Sequence, residues 1–373
     1  MTEQNGSKIL NVIIEPTSDC NMICEYCFKG EKKDTMMPFD TLKEVIQQVI
    51  SYIEKRGLAC EFIWHGGEPT LMGYDYYSEA LNLIENVKGK STITYSLQTN
   101  GTLLTDELLE LFAKYGFYLG ISIDSTTPDY HEKMRPLLSG RASHAIIVDR
   151  IERAISKGID VGVLMALTEE NAFNAIDMFE FCRQRGVGLG LNPVSADSHS
   201  SHSDIELSPE TYLKVCIELF DLWLKQNQTP IRFNPAFGII ETLIKQQGAT
   251  QSERGNCQMS YVSIGPDGDI YPCNRFYNIE EYKFGNIFDG FEDAMNSDVR
   301  ERLLNRIVSN IEKCRKCPIS LYCNGGCMHH AVSHYGSIFA PDHLCKVYRG
   351  LVEHAIQRLH EIVKTHTNDP QPC

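Results

Sequence analysis

The sequence predicts an α/β fold: a partial (β/α)6 barrel followed by a cysteine-rich domain. Six apolar runs in the first 230 residues each precede a segment of helical periodicity. Cys20, Cys24 and Cys27 follow the first run in C-x3-C-x2-C spacing, and eight of the fourteen cysteines fall after residue 250. The apolar runs cover 9–14, 60–64, 93–97, 118–123, 161–166 and 187–191, with helical patterns over 38–55, 74–87, 105–115, 145–157, 171–185 and 210–226. Strand and helix in alternation mean parallel strands joined by crossover helices. The count stops two short of a closed barrel, so a curved, partly open sheet is expected. Parallel barrels do their chemistry at the carboxyl ends of the strands, where the 20–27 loop lies.

Residues 1–230 read as the barrel. Residues 231–250 read as a linker that opens at a Pro230/Pro235 break. Residues 251–373 read as the second domain, closed by a helix over 346–364. The polar 195–203 run reads as a solvated loop rather than a metal site for its two histidines. Hydrophobic residues make up 42% of the chain, enough for a core that does not depend on metal staples. A formal net charge of -14 argues against nucleic acid or an anionic membrane as partner. There is no apolar run of 18 residues and no signal-peptide pattern, so a soluble, cytoplasmic protein is expected. Fourteen cysteines in such a chain read as metal ligands rather than disulfides.

Three thiolates on one short loop hold three irons of a cubane cluster and leave the fourth open to a small molecule. A zinc site would instead pair C-x2-C units and close with a fourth ligand. Gly66-Gly67-Glu68-Pro69 ends the second strand. Its glycines let the backbone approach a ligand, and its carboxylate suits an ammonium group. Cys60, Cys182 and Cys216 sit in strand or helix patterns and read as core packing.

With Tyr26 directly before its last cysteine, the loop resembles the signature of the radical S-adenosylmethionine (SAM) superfamily. The resemblance implies a [4Fe-4S] cluster on Cys20, Cys24 and Cys27 whose unique iron chelates SAM. It also implies reductive cleavage of SAM to a 5′-deoxyadenosyl radical, and an external one-electron reductant such as flavodoxin or ferredoxin. The SAM contacts it implies are Tyr26, Gly66, Gly67, Glu68, Ser122, Arg135 and Leu191. Gln98 and Asn100, in a QTNG segment, would face substrate or SAM. His65, Tyr118 and Asp124 are catalytic candidates by position, and Asp124 shares the segment that resembles a ribose contact.

Cys257-x10-Gly268-x4-Cys273, then Cys314-x2-Cys317-x5-Cys323-x3-Cys327 and Cys345, resembles the seven-cysteine SPASM domain. The resemblance implies two auxiliary [4Fe-4S] clusters: an outer one on Cys314, Cys317, Cys323 and Cys345, and an inner one on Cys257, Cys273 and Cys327. That makes three clusters in all. The whole chain is similar to anaerobic sulfatase-maturating enzymes and related peptide maturases, with two departures. The 251–256 segment lacks the extra inner-cluster cysteine of the maturases, and Asn274 stands where they carry a basic aspartate. An asparagine accepts no proton at neutral pH. The implied activity is oxidative modification of a peptide or protein side chain, namely thioether or other cross-linking of a ribosomal peptide in an anaerobic cell. Formylglycine formation and dehydrogenation of a small molecule are the alternatives. The first strand starts within ten residues, so a separate peptide-recognition protein is a candidate partner.

Overall fold

Six strand–helix units build the first part of the chain in the computed structural model, which describes residues 9–29, 35–195, 204–225, 231–245 and 257–367. The strands are β1 (Ile9–Ile14), β2 (Ala59–Trp64), β3 (Ile93–Thr99), β4 (Tyr118–Ser122), β5 (Asp160–Leu167) and β6 (Gly188–Pro193). The helices are α1 (Phe39–Arg56), α2 (Gly73–Val87), α3 (Asp106–Tyr115), α4 (Pro128–Met134), α5 (His144–Ser156), α6 (Ala175–Arg185) and α7 (Pro209–Leu224). All six strands pair in parallel, as Ile9↔Ala59 through Ile14↔Trp64 illustrates.

Alternation decides the faces. Val12, Ile14, Phe62, Trp64, Leu119 and Ile121 are buried and pack in one core with the stripe of α1 formed by Val45, Ile46 and Val49. Local chemistry sets the helix ends. Thr105 accepts the Leu108 N–H at the start of α3, and Gly116, at φ 67°, closes it in the left-handed conformation that glycine adopts without strain. Cys60, Cys182 and Cys216 are core residues, as expected.

Two features differ from the sequence reading. The segment read as linker contains β7 (Phe233–Asn234), parallel to β6, and α8 (Ala236–Lys245). The C-terminal part also does not stand apart from the barrel. Its β8 (Tyr261–Ile264) pairs in parallel with β1, from Asn11↔Tyr261 to Ile14↔Ile264. Then β9 (Asp269–Tyr271) and β10 (Gly285–Asn286) continue antiparallel, giving one sheet in the order β10-β9-β8-β1-β2-β3-β4-β5-β6-β7. The free edge of β1 is thereby covered.

Beyond the sheet come α9 (Phe291–Met295), α10 (Asp298–Leu304), α11 (Ser320–Cys323), α12 (Met328–Tyr335) and α13 (Cys345–Thr367). The last packs back on α7, where His354 and Arg358 meet Asp221 at 3.0 and 2.9 Å. Residues 196–203 of the polar loop and the 251–256 segment lie outside the described residues. No helix among the described residues is long and apolar enough to cross a membrane.

Candidate active site

The cysteine loop is pinned by main-chain bonds to the end of β2. The N–H groups of His65, Gly67 and Glu68 donate to the carbonyls of Ile14, Thr17 and Asp19 at 2.9, 2.9 and 2.7 Å. A Cβ on Gly67 would fall inside the Asp19 carbonyl oxygen, so this close approach requires glycine. Asp19 Oδ1 accepts the Cys20 N–H at 2.7 Å. Asn100 Nδ2 donates to Asn21 at 2.7 Å and reaches Cys20 Sγ at 3.9 Å. Asn100 therefore orients the loop, and it also lines the cavity above it.

A cavity of about 230 Å³ opens over this loop at the carboxyl ends of the strands. Cys20, Cys24, Tyr26 and Cys27 form one wall, with His65, Gly66, Gly67, Gln98 and Ser122 opposite. Gln98 Nε2 donates to Ser122 Oγ at 2.9 Å, and the missing side chain of Gly120 leaves room for the Gln98 amide. Arg135 donates to Tyr26 Oη at 2.6 Å, and Tyr26 in turn donates to Asp124. The Arg135 Nε–H is buried without a partner among the described residues. That costs about 1–3 kcal/mol, which a ligand carboxylate would relieve. Burial, with Lys29 second, pushes His65 down to about 4, so its imidazole is neutral. Its Nδ1 accepts the Gly66 N–H at 2.7 Å, which places the ring proton on Nε2.

Several expected contacts fall elsewhere. Tyr118 is the first residue of β4, about 13 Å along the strand from Ser122, so it belongs to the barrel floor and not to the site. Leu191 is buried in the core, and strand alternation gives the cavity Asn192 instead. Asp124 is fully buried; it takes the Tyr26 hydroxyl and the Ala166 N–H (3.0 Å), so it braces the wall and has no access to a substrate. Glu68 lies at the cavity, yet its Oε1 takes Thr70 and Thr99 and its Oε2 the Asn100 N–H at 2.7 Å. It ties β2 to β3 and keeps little capacity for an ammonium.

A second cavity of about 150 Å³ adjoins the first, and Asn192, Pro193 and Arg275 line both. Cys257, Cys273 and Cys327 meet in it, beside Asn274 and His330. Farther out, Cys314, Cys317, Cys323 and Cys345 gather. Burial first, then Cys314, Cys345 and Cys317, push the Cys323 thiol up to about 12. Burial likewise raises Cys24 to about 11 and Cys327 to about 12. Sulfurs this deep ionise only against a compensating cation such as iron.

The donor geometry suits clusters rather than single ions. Four sulfurs on one zinc ion sit about 3.8 Å apart. Among the described residues, the groups of potential metal donors within 4.8 Å of one another contain no cysteine. One such group is Glu206, His334 and His343. The two rings stack 3.8 Å apart and nearly parallel, so one ion cannot lie in both ring planes.

Sequence reasoning missed two connectors. Glu15, fully buried at the end of β1, pairs through Oε2 with Lys29 beyond the cysteine loop and accepts Ser263 of β8 at Oε1, 3.0 Å away. Arg275 joins the two cavities. A carboxylate directly after the apolar 9–14 run was the one available signal for Glu15.

Residues 14–182 match the radical SAM superfamily, and residues 257–318 match an iron–sulfur cluster-binding domain, SPASM. A cysteine-type anaerobic sulfatase-maturating enzyme of Clostridium novyi is 26% identical, over 96% of this chain and 98% of that protein. The structure of anSMEcpe with bound AdoMet and Cp18Cys peptide superposes with a TM-score of 0.84 at 23% identity, covering 96% of this chain and 99% of that one. Streptococcus suis SuiB bound to its precursor peptide SuiA gives a TM-score of 0.69 at 17% identity, covering 92% and 77%.

Proposed function

Because the chain belongs to the radical SAM superfamily and carries a SPASM iron–sulfur domain, we propose that this SAM-dependent enzyme modifies a peptide or protein side chain by oxidative cross-linking in the maturation of a ribosomal peptide. One observation carries the reading. The three-cysteine loop and the inner three cysteines face two cavities that share a rim at Asn192, Pro193 and Arg275. A side chain placed at that rim touches both. SuiB was solved with a precursor peptide and anSMEcpe with a peptide, which supports a peptide occupant.

Cys20, Cys24 and Cys27 would hold the SAM-binding cluster, and the seven later cysteines two auxiliary ones. When bound, the first cluster supplies the electron that splits SAM into methionine and the radical that takes a hydrogen atom from the substrate. The chain's own residues bind and orient. Arg135, held by Tyr26 and Asp124, keeps a donor for the SAM carboxylate. Gln98 and Ser122 present paired polar groups to the ribose side. His65 offers a neutral N–H that neither adds charge nor takes a proton. The reading includes an external one-electron reductant such as flavodoxin or ferredoxin and, with it, a cytoplasmic location.

Formylglycine formation is the second reading, favoured by the full-length similarity to a sulfatase-maturating enzyme. Asn274 in the inner cavity counts against it, since an amide cannot serve as the base.

The test is anaerobic, reduced holoprotein with SAM and any short peptide encoded beside its gene. The expected result is 5′-deoxyadenosine together with a peptide that has lost two hydrogens. The Cys20/Cys24/Cys27→Ala variant should lose both products and about four irons. Intact clusters that yield no deoxyadenosine would sink the reading, whereas formylglycine in a co-expressed sulfatase would replace it with the second one.

A further inference from the structure

We propose that His330 supplies the fourth ligand of the inner cluster through Nε2, completing the set of Cys257, Cys273 and Cys327. The inference rests on the radical SAM and SPASM reading above. Three cysteines leave one cubane iron without a protein ligand, and residues 251–256 contain no cysteine.

His330 lines the cavity with all three sulfurs. Cys327 is the N-cap of α12, three residues before His330. A Cys-x2-His spacing on the first turn of a helix puts both side chains on one face. His330 is 4% exposed, and its Nδ1–H donates to Asp342 at 3.1 Å. That carboxylate is itself fixed: it accepts the Cys327 N–H at 2.7 Å, the Leu344 N–H at 2.9 Å and the Tyr348 hydroxyl at 3.1 Å. A carboxylate behind Nδ1 is how proteins orient a metal-binding imidazole, and it leaves the Nε2 lone pair outward.

Arg275 identifies that lone pair. Its guanidinium approaches Nε2 at 2.7 Å and can only donate, so Nε2 is the bare acceptor. Iron at Nε2 would displace Arg275 toward the rim it already lines in the first cavity. The other polar neighbours suit iron less well. The Tyr348 and Tyr212 hydroxyls are engaged by Asp342 and by the Leu191 carbonyl, and the Asn274 amide is a poor ligand for iron. With His330 bound, no inner iron is open to a substrate thiolate. The cross-link would then be carbon–carbon or carbon–oxygen, chosen by where the substrate sits.

Pulsed EPR on the reduced, SAM-free holoprotein tests this, with natural-abundance and 15N-histidine-labelled samples. The expected result is a strongly coupled histidine nitrogen that shifts with the label. In His330→Ala the coupling should be lost and air oxidation should give a three-iron signal. In His330→Cys the full iron content should remain, without the nitrogen coupling and with a lower reduction potential, since imidazole ligation raises it. A wild-type protein with full iron and no strong nitrogen coupling, or a coupling that persists in His330→Ala, would overturn the ligand assignment alone. Absence of the inner cluster from wild-type protein would overturn the SPASM reading with it.

Discussion

The two cavities are built by different means. The first stands on regular structure. Its walls are the ends of successive parallel strands, and its cysteine loop is held by backbone bonds from the 65–68 turn. The second shares β1, β6, β8, α7 and α13 through Ile13, Asn192, Tyr261, Tyr212 and Tyr348, but its cysteine side is made of short helices and turns, and buried charged side chains hold that side. Arg306 is fully buried and donates to four carbonyls, those of Ile338, Gly326, Gly325 and Ala340, at 2.6, 3.0, 2.9 and 3.2 Å. Asp342 does the complementary work, gathering N–H and O–H donors around Cys327. Where strands cannot satisfy the backbone, one guanidinium and one carboxylate do so.

Three measurements can break that contrast. The largest effect is expected at Arg306. Arg306→Met strands the carbonyls of Ile338, Gly326 and Ala340, while that of Gly325 keeps the Asp342 N–H at 3.0 Å, and should cost about 3–5 kcal/mol in denaturant unfolding. It should empty the auxiliary sites while the three-cysteine loop still loads iron; equal loss from both sites would show that the two are not independently braced. Next is Gly67→Ala, where the new methyl must push the Asp19 carbonyl and the loop outward. Deoxyadenosine formation should fall about 100-fold with auxiliary iron unchanged. Wild-type turnover would mean that the loop is not set by this approach.

The smallest effect concerns His131, fully buried behind the Asp124 wall. Burial, with Arg135 second, pushes it down to about 3, below its unfolded value of about 6.5. The unfolded chain therefore binds the proton first, and stability is complete above pH 6.5 and declines as pH falls toward 3. Between pH 8 and 5.5 this group should remove about 1 kcal/mol, and His131→Met should flatten that part of the profile. An unchanged slope would show that His131 is not held neutral.

The cysteine spacings were legible because ligand chemistry forces them into short sequence motifs. The six strands were legible because each is an apolar run of five residues or more. Other features were not. β8 is four residues long and pairs with a strand about 250 positions away, which no local pattern announces. Leu191 and Asn192 differ only in which face of β6 they occupy, and a one-residue choice of phase exchanges core for cavity. Tyr118 marks a strand's start, whereas parallel sheets place chemistry at strand ends. His330 has no spacing signal of its own, and only the fold brings it into the cavity with the three sulfurs.

The pairing of β8 with β1 has a consequence for dissection of the chain. Cutting between residues 230 and 257 would not release two modules. The N-terminal fragment would keep a naked edge along β1, and the C-terminal one an orphan hairpin that is marginal alone in water. Glu15 would be left buried with neither its Ser263 partner nor the β8 carbonyl of Ile264 that receives its N–H. Swapping the C-terminal part between relatives to change the product therefore means grafting a sheet edge, with its register and its buried carboxylate, and not merely joining a tail.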